Sequence, residues 1–170
     1  TLVSAGVINP VVLKRFTPNW NAKLHVENAF TFYNDLSKKL SVPLFKEVPM
    51  LRIFKSVEEQ NNWMVASDKI ELSNFLFPEI VKNKNSSIHA PFGFGKVNHT
   101  GMVNTSLMIT SYKEYLRKNN KLIEEVFNFD FLKEEDETIF YKDLKSKKII
   151  FSEGASVRKN PFFPPPPVSG

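Results

Sequence analysis

The chain of 170 residues contains no cysteine. Disulfide bonds, thiolate metal sites and cysteine nucleophiles are therefore excluded, and the composition suits a reducing compartment, so we expect a cytoplasmic protein. No apolar run approaches the roughly 20 residues that a membrane-spanning helix requires, and we expect no membrane partner. The chain reads as a soluble domain with one ordinary hydrophobic core.

Motifs that mark a metal or catalytic centre are also absent from the sequence. The histidines His25, His89 and His99 follow no metal-ligand spacing, so we expect no metal site. The stretch GFGKVN has two glycines in GxG order but Asn98 where a third glycine would stand, and it fails as a dinucleotide fingerprint. No phosphate-binding loop with Gly-Lys-Ser/Thr and no GxSxG elbow occurs, so the catalytic residues stay unknown.

The charged residues are numerous but dispersed. The chain has 23 Lys and Arg against 18 Asp and Glu, a formal net charge of +5, and the two signs are interspersed. Such a balance can attract an anionic cofactor or substrate, but it lacks the basic block that would indicate nucleic acid. We therefore do not expect nucleic acid as the main partner.

Three segments have the apolar spacing of amphipathic helices. Thr17 followed by Pro18 predicts a helix start, with an apolar stripe over residues 18–40. The SVEE stretch from Ser56 is a capping box and predicts a helix over residues 56–66. Asn104 is the expected cap of a third helix, over residues 104–119.

Strand-forming residues occur in short runs between and after these helices. Pro49 divides the run over residues 44–54 or places it at a sheet edge, and residues 91–103 predict a strand or a bent hairpin. Residues 69–90 read mostly as loop with some short helix. Three further strand-like runs follow, LIEEVF, ETIFYKD and KKIIFSEG, the last with a buried strand ending before Gly154. The fold class is therefore α/β in an α+β arrangement, with a largely antiparallel sheet of about five or six strands.

Three segments carry a family resemblance by their order and spacing. SAGVINPV, MVNTSLMITSYKEYL and IIFSEGASVRKNPFF resemble the FAD-dependent oxidoreductases of the D-amino-acid oxidase and glycine oxidase superfamily. NPVVLKRFTPNW and EEQNNW are similar to a bacterial subgroup of that superfamily. The resemblance covers the chain up to about Phe163 and implies the central part of a longer flavoenzyme, with the Gly-rich fingerprint before Thr1.

The resemblance implies a domain plan and a cofactor site. Residues 1–12 would be part of a Rossmann-like FAD domain, 13–145 a substrate-binding domain, 146–163 a return strand to the FAD domain, and 164–170 a Pro-rich tail. It implies a small-residue loop that passes beside the flavin. The implied FAD-contacting residues are Ser4, Ala5, Gly6, Val7, Ile8, Gly154 and Ala155. Glu153 departs from the family pattern, which usually has a small residue there.

By the same resemblance, the protein would oxidise an amine or amino-acid-like substrate by hydride transfer to the flavin. A substrate carboxylate would need a cation, for which Arg15 and Arg52 are candidates beside the alternative of ordinary surface ion pairs. The sequence leaves open the oligomeric state and two plainer readings. SAGVINPV and IIFSEG are also compatible with buried strands, and the whole chain with a non-catalytic basic module for nucleic acid or a protein partner.

Overall fold

A computed structural model describes residues 4–163, apart from the side chain of Ala155, so the predicted Pro-rich tail at 164–170 lies outside the described residues. The helices are α1 (Ala22–Leu40), α2 (Val57–Ser67) and α3 (Thr105–Lys118). The strands are β1 (Val7–Ile8), β2 (Val11–Val12), β3 (Thr17–Pro18), β4 (Phe45–Glu47), β5 (Met50–Ile53), β6 (Phe94–Val97), β7 (Gly101–Val103), β8 (Leu132–Glu135), β9 (Thr138–Tyr141) and β10 (Leu144–Ser146). This mixture is the predicted α+β class.

The chain forms two compact units that meet in sequence between Leu122 and Ile123. The first unit contains α1 to α3 and β1 to β7, and the second contains β8 to β10 with a short 3-10 helix at Gly154–Lys159. This boundary places residues 123–145 with 146–163, whereas the predicted plan separates them at 145. The assignment of segments to a FAD domain or a substrate domain stays a prediction.

All three helices form where the sequence predicts them, and one begins later than expected. Instead of capping α1, Thr17 pairs with Val12 in the β2–β3 hairpin. The helix starts after Asn21, whose backbone has a φ of 47°, a left-handed conformation that asparagine tolerates better than most residues. The predicted Thr17 cap is therefore wrong, because strand pairing takes up that residue.

The caps of α2 and α3 follow the sequence patterns closely. The Ser56 hydroxyl accepts a hydrogen bond from the Glu59 backbone N–H at 3.2 Å, which is half of the predicted capping box. In the other half, the Glu59 carboxylate accepts from the Lys55 N–H at 2.8 Å rather than from Ser56. At α3, the Asn104 side chain accepts from the Leu107 N–H at 2.9 Å, and the predicted cap is confirmed.

The strands of the first unit form small antiparallel sheets. Pro49 divides its segment into β4 and β5, as predicted. β5 pairs with β6, and β7 lies between β1 and β4 in the order β1-β7-β4. Between the two ladders, Thr100 bridges back to Val48 through backbone and hydroxyl hydrogen bonds. Several small sheets therefore replace the single sheet of five or six strands that the sequence predicts.

Two predicted strands in the second unit are wrong. Residues 122–127 and 149–151 have no strand conformation, whereas residues 138–141 of the ETIFYKD run form β9 as expected. The apolar run at 149–151 suggested burial on both faces, but Ile150 is 87% exposed. Among the described residues, the sheet of the second unit consists of β10, β9 and β8, and residues 149–151 pair with none of these strands.

The core of the first unit is centred on Trp63 of α2. Its indole is fully buried and makes edge-to-face contacts with Phe16 and Phe54, each with ring centroids 5.5 Å apart. The indole N–H donates to the Phe77 carbonyl oxygen at 2.9 Å. Gly95 of β6 faces this ring, and α2 is thereby fixed against the β5–β6 ladder.

Candidate functional site

The predicted flavin-side loop at residues 4–8 is held firmly by the fold. The Val103 N–H donates to the Gly6 carbonyl oxygen at 2.7 Å, and the Thr105 hydroxyl donates to the Ser4 carbonyl oxygen at 3.1 Å. Gly6 has a φ of 65°, and a Cβ there would overlap the Val103 carbonyl oxygen. This close approach requires glycine by itself, so the residue needs no flavin to explain it.

The β1-β7-β4 sheet has one covered face. Phe45 and Val103 are paired across β4 and β7, so their side chains lie on the same side. Helix α1 packs there, with Phe30 and Tyr33 at ring-centroid distances of 4.8 and 6.2 Å from Phe45. Side chains on the opposite side of this sheet face away from α1.

The opposite side carries a row of three side chains across the sheet, which we call the open row: Val7, Met102 and Lys46. Val7 pairs with Met102, and Met102 pairs with Lys46, so the three lie side by side. Val7 is 46% exposed and Met102 is 52% exposed. Strands β1, β7 and β4 thus place an exposed apolar pair beside a cation. Of these strands, β1 belongs to the predicted cofactor loop.

The other residues of that loop are divided between exposed and partly covered positions. Ser4 and Ala5 are exposed, whereas Ile8 is half-buried and pairs with Gly101 on the covered side. Val7 is therefore the one of the five predicted loop residues whose large side chain points to the open side. Sequence reasoning named Val7 but missed Met102 and Lys46. The strand-forming runs that contain FKE and GMV were the available signal, but such runs do not reveal which strands pair.

Arg52, a predicted substrate-binding residue, is engaged in an ion pair. Its guanidinium donates from Nε at 3.1 Å and from Nη2 at 2.5 Å to one carboxylate oxygen of Glu59. The Arg52 and Glu59 side chains are 30% and 17% exposed, so the pair is partly shielded from water. The contact ties β5 to the first turn of α2, and it accounts for Arg52 without any substrate.

Glu59 makes the stability of this region dependent on acid. Burial alone would raise the pKa of its carboxyl, but hydrogen bonds from Arg52 and from the Lys55 N–H, together with their positive charges, hold the pKa below its ordinary value of 4.5. A folded-state pKa that is depressed contributes stability above the unfolded-state pKa. That contribution is lost as the pH falls through the lowered value.

We therefore expect Glu59→Gln to lower the free energy of unfolding most at neutral pH. The gap between the native protein and the variant should narrow as the pH falls below 4.5, the ordinary pKa of the group. Urea unfolding followed by circular dichroism across this range measures the gap, and Glu58→Gln at an exposed neighbouring position is the control. A gap that stays constant down to about pH 3 would show that the carboxylate charge contributes nothing.

Arg15 lies in a different setting. It is exposed in the turn between β2 and β3, where its backbone N–H donates to the Val12 carbonyl oxygen at 3.0 Å. Arg15 thus lies outside both strands of this hairpin and outside the open row. Its predicted role in substrate binding stays a prediction.

Gly154 and Ala155, the remaining predicted cofactor residues, belong to the second unit. Gly154 begins the 3-10 helix with a φ of 59°, and no atom lies within 4 Å of the position of a Cβ. The Glu153 carboxylate accepts a hydrogen bond from the Asn160 side-chain amide at 2.8 Å. Glu153, which departs from the family pattern, therefore stabilises this local turn.

The second unit also contains a surface cavity that sequence reasoning missed. It has a volume of about 410 Å³ and is lined mainly by apolar side chains. Its wall includes Phe127 stacked on Tyr141 with ring centroids 4.4 Å apart. At its edge, the ammonium group of Lys142 lies 2.6 Å from the Glu125 carboxylate. None of the predicted site residues lines this cavity.

No protein-family model matches the chain, and no solved structure matches it significantly. Across residues 4–163, no helix has both the length and the apolar character needed to cross a membrane. Within the same part of the chain, histidines and carboxylates nowhere form a group of three that could hold a metal ion.

Proposed function

We propose that this chain is the central part of a FAD-dependent oxidoreductase that oxidises an amine or amino-acid-like substrate, and that it works in the cytoplasm. The observation that carries the proposal is the open row. The sequence resemblance puts residues 4–8 beside a flavin, and the side chain of Val7 stands on an uncovered face next to Met102. These two adjacent apolar side chains are exposed and could contact one face of a flat ring system.

The residues of this region fit the ring system of FAD. Ser4 and Ala5 are small and exposed, so a planar group can approach the chain closely. Val7 and Met102 offer adjacent apolar surface, and burying such surface drives association. The sequence contains no Gly-rich phosphate-binding turn, so the fit concerns the flavin ring and not the dinucleotide phosphates.

A bound flavin would supply the redox chemistry by accepting a hydride from the carbon next to the substrate nitrogen. The chain's own residues would contribute binding and orientation. Val7 and Met102 would exclude water from one side of the ring, because they cover it with apolar atoms. Gly6 would fix the position of this surface through its hydrogen bond with Val103. Hydride transfer of this kind requires no strong protein base.

The alternative function is a non-catalytic basic module, and one contact is relevant to it. The Lys39 ammonium lies 4.8 Å from the centre of the Tyr115 ring, which brings the last turns of α1 and α3 together. These turns carry Lys38, Lys39, Arg117 and Lys118. Cations are common at helix C-termini because they stabilise the helix dipole, so the cluster has a structural explanation and the flavoenzyme remains the better proposal.

The first test is the visible absorption spectrum of the purified natural protein, together with its mass. We expect flavin absorption that stays with the folded protein through gel filtration and that passes into the small-molecule fraction, as free FAD, after denaturation. We also expect Val7→Asp to weaken FAD binding, because a carboxylate would be desolvated against an apolar ring. Val57→Asp is the matched control, since Val57 is 56% exposed at the start of α2.

Two outcomes would contradict the proposal. A colourless protein that takes up no added FAD would exclude the flavoenzyme and favour the basic module. Equal FAD affinity in the native protein and in Val7→Asp would show that the open row is not the flavin surface. Thermal melting of both aspartate variants checks that each is folded, and similar melting is expected because both valines are exposed.

A further inference from the structure

We propose that the surface cavity of the second unit binds a free aliphatic carboxylate, such as a medium-chain fatty acid. The aliphatic chain lies on the apolar lining of the cavity, and the carboxylate lies beside Lys148. This inference goes beyond the proposed function and does not rest on it. Every residue that lines the cavity belongs to the second unit, whereas the open row belongs to the first.

The register of the sheet formed by β8, β9 and β10 creates the apolar floor of the cavity. Leu132 and Leu144 both pair with Tyr141, from its two sides, so these three side chains lie in one row on the same face. Ile139 lies on that face as well, two residues before Tyr141. The volume of about 410 Å³ is within the range of about 300–1,000 Å³ that is common for small-molecule sites. A methylene chain is stabilised on this floor, because its apolar surface leaves water.

Segments on both sides of the sheet form the walls of the cavity. Phe127 lines it from the segment before β8, and Ile149 lines it from the segment after β10. The Phe127 ring makes contacts with Phe129 and Phe151, at ring-centroid distances of 5.3 and 5.9 Å, and it stacks on Tyr141. Because three rings hold Phe127 in place, the ligand meets a preformed concave surface rather than a flat strand face.

The acidic group that lines the cavity is already paired. The Glu125 carboxylate lies 2.6 Å from the Lys142 ammonium group. Hydrogen bonding to the Lys142 ammonium and to the Tyr141 hydroxyl holds the pKa of this carboxyl below its ordinary value of 4.5, so Glu125 is charged and paired at neutral pH. A protonated amine would have to displace Lys142 before it could bind Glu125, and the cavity therefore disfavours amines.

Lys148 is the cation that lines the cavity, and its backbone is fixed there. The Ser146 hydroxyl donates to the Lys148 carbonyl oxygen at 2.8 Å and accepts from the Lys148 N–H at 3.2 Å. Within residues 4–163, the Lys148 ammonium group has no ion-pair partner. It can bind a carboxylate through charge-assisted hydrogen bonds. An apolar lining with one such cation matches both parts of an aliphatic carboxylate.

Calorimetric titration of the purified natural protein with three probes tests the chain and the charge separately. Octanoate and hexanoate differ by two methylene groups, whereas octanoate and octylamine differ in the sign of the charged end. We expect octanoate to bind about 15-fold more tightly than hexanoate, because each buried methylene group tightens binding about fourfold. Octylamine should bind more weakly than octanoate, since Lys148 repels a protonated amine.

Variants test the two parts of the cavity. Lys148→Gln should weaken octanoate binding about 2–5-fold, as expected for an exposed ion pair, and Lys148→Arg should keep most of the affinity. Lys145→Gln is the matched control, because Lys145 pairs with Phe140 on the opposite face of the sheet. Leu144→Asp should weaken octanoate binding more than about tenfold, because it places a second carboxylate on the apolar floor. Its control is Ile150→Asp, since Ile150 is exposed and does not line the cavity.

Methyl NMR spectra locate the bound octanoate, and we expect shifts at Ile139 and Leu144. The inference would be overturned by a protein that binds no octanoate, by equal binding of octanoate and octylamine, or by unchanged octanoate affinity in Leu144→Asp. Dimerisation that Leu144→Asp abolishes, in a protein that takes up no octanoate, would assign the apolar surface to a second copy of the chain instead. None of these results depends on flavin absorption, so this inference and the proposed function can fail separately.

Discussion

Replacement of Trp63 by alanine is expected to lower the free energy of unfolding by about 3–5 kcal/mol, the range for deleting a buried aromatic side chain. Trp63 is fully buried and touches Phe16 and Phe54 edge to face, so the variant loses both dispersion contacts and apolar burial. The Phe77 carbonyl oxygen also loses the indole N–H that donates to it. Small domains have only about 5–15 kcal/mol in total, so the change removes a large share.

Urea unfolding followed by far-ultraviolet circular dichroism measures this loss. Trp20→Ala is the matched control, because Trp20 is 79% exposed and its loss should change stability by less than about 0.5 kcal/mol. Trp63→Phe should fall between the two, since it keeps a buried ring but leaves the Phe77 carbonyl oxygen unpaired. If Trp63→Ala were no less stable than Trp20→Ala, the core would not be centred on this residue.

The sequence patterns predict local structure well where the deciding interactions are local. Ser56 and Asn104 cap their helices because each side chain reaches a backbone N–H three residues ahead. Pro49 interrupts the strand because proline lacks the N–H that a ladder needs. These features depend on residues that are close together in the sequence, so one sequence is enough to predict them.

Pairing of a strand with another strand or with a helix is where prediction from the sequence fails. Thr17 looks like a helix cap until its pairing with Val12 is known, and residues 149–151 look like a buried strand until no partner strand is found among the described residues. The ion pair of Arg52 with Glu59 joins a strand to a helix, and nothing in the spacing alone distinguishes it from a free substrate-binding arginine.

The residues of the candidate site were also predicted only in part. The resemblance selected residues 4–8, including Val7, from sequence alone. Lys46 and Met102 could not be selected, because they join Val7 only through the order β1-β7-β4, which connects residues about 95 positions apart. A one-residue slip in the β4–β7 ladder would turn Lys46 to the covered side, and one in the β1–β7 ladder would turn Val7 there. The site therefore depends on which strands pair and in which register, and a short strand-forming run does not name its partner.

Gly95→Ala is the second substitution with a large expected effect. We expect it to destabilise the fold, because the added methyl group would enter the core around Trp63. Alanine in a strand interior normally stabilises by about 0.5–1 kcal/mol relative to glycine. Here a Cβ would lie 2.6 Å from the Trp63 ring and 2.7 Å from the Phe54 ring, both of which are buried. Neither ring can move without disturbing its neighbours in the packed core, so we expect a net loss of about 1–3 kcal/mol.

A double-mutant cycle separates this overlap from any backbone effect. In the Trp63→Ala background the indole is gone, and its cavity gives the neighbouring Phe54 ring room to move away from the added Cβ. Gly95→Ala should therefore cost much less, and a coupling of about 1 kcal/mol or more is expected between contacting positions. Gly154→Ala supplies the contrast, because its φ of 59° disfavours alanine while no atom lies within 4 Å of the added Cβ. Its cost should therefore be the same in both backgrounds. Additive costs for Gly95→Ala and Trp63→Ala would mean that the ring and the strand do not touch as described, and α2 would then not be fixed against β6 by this contact.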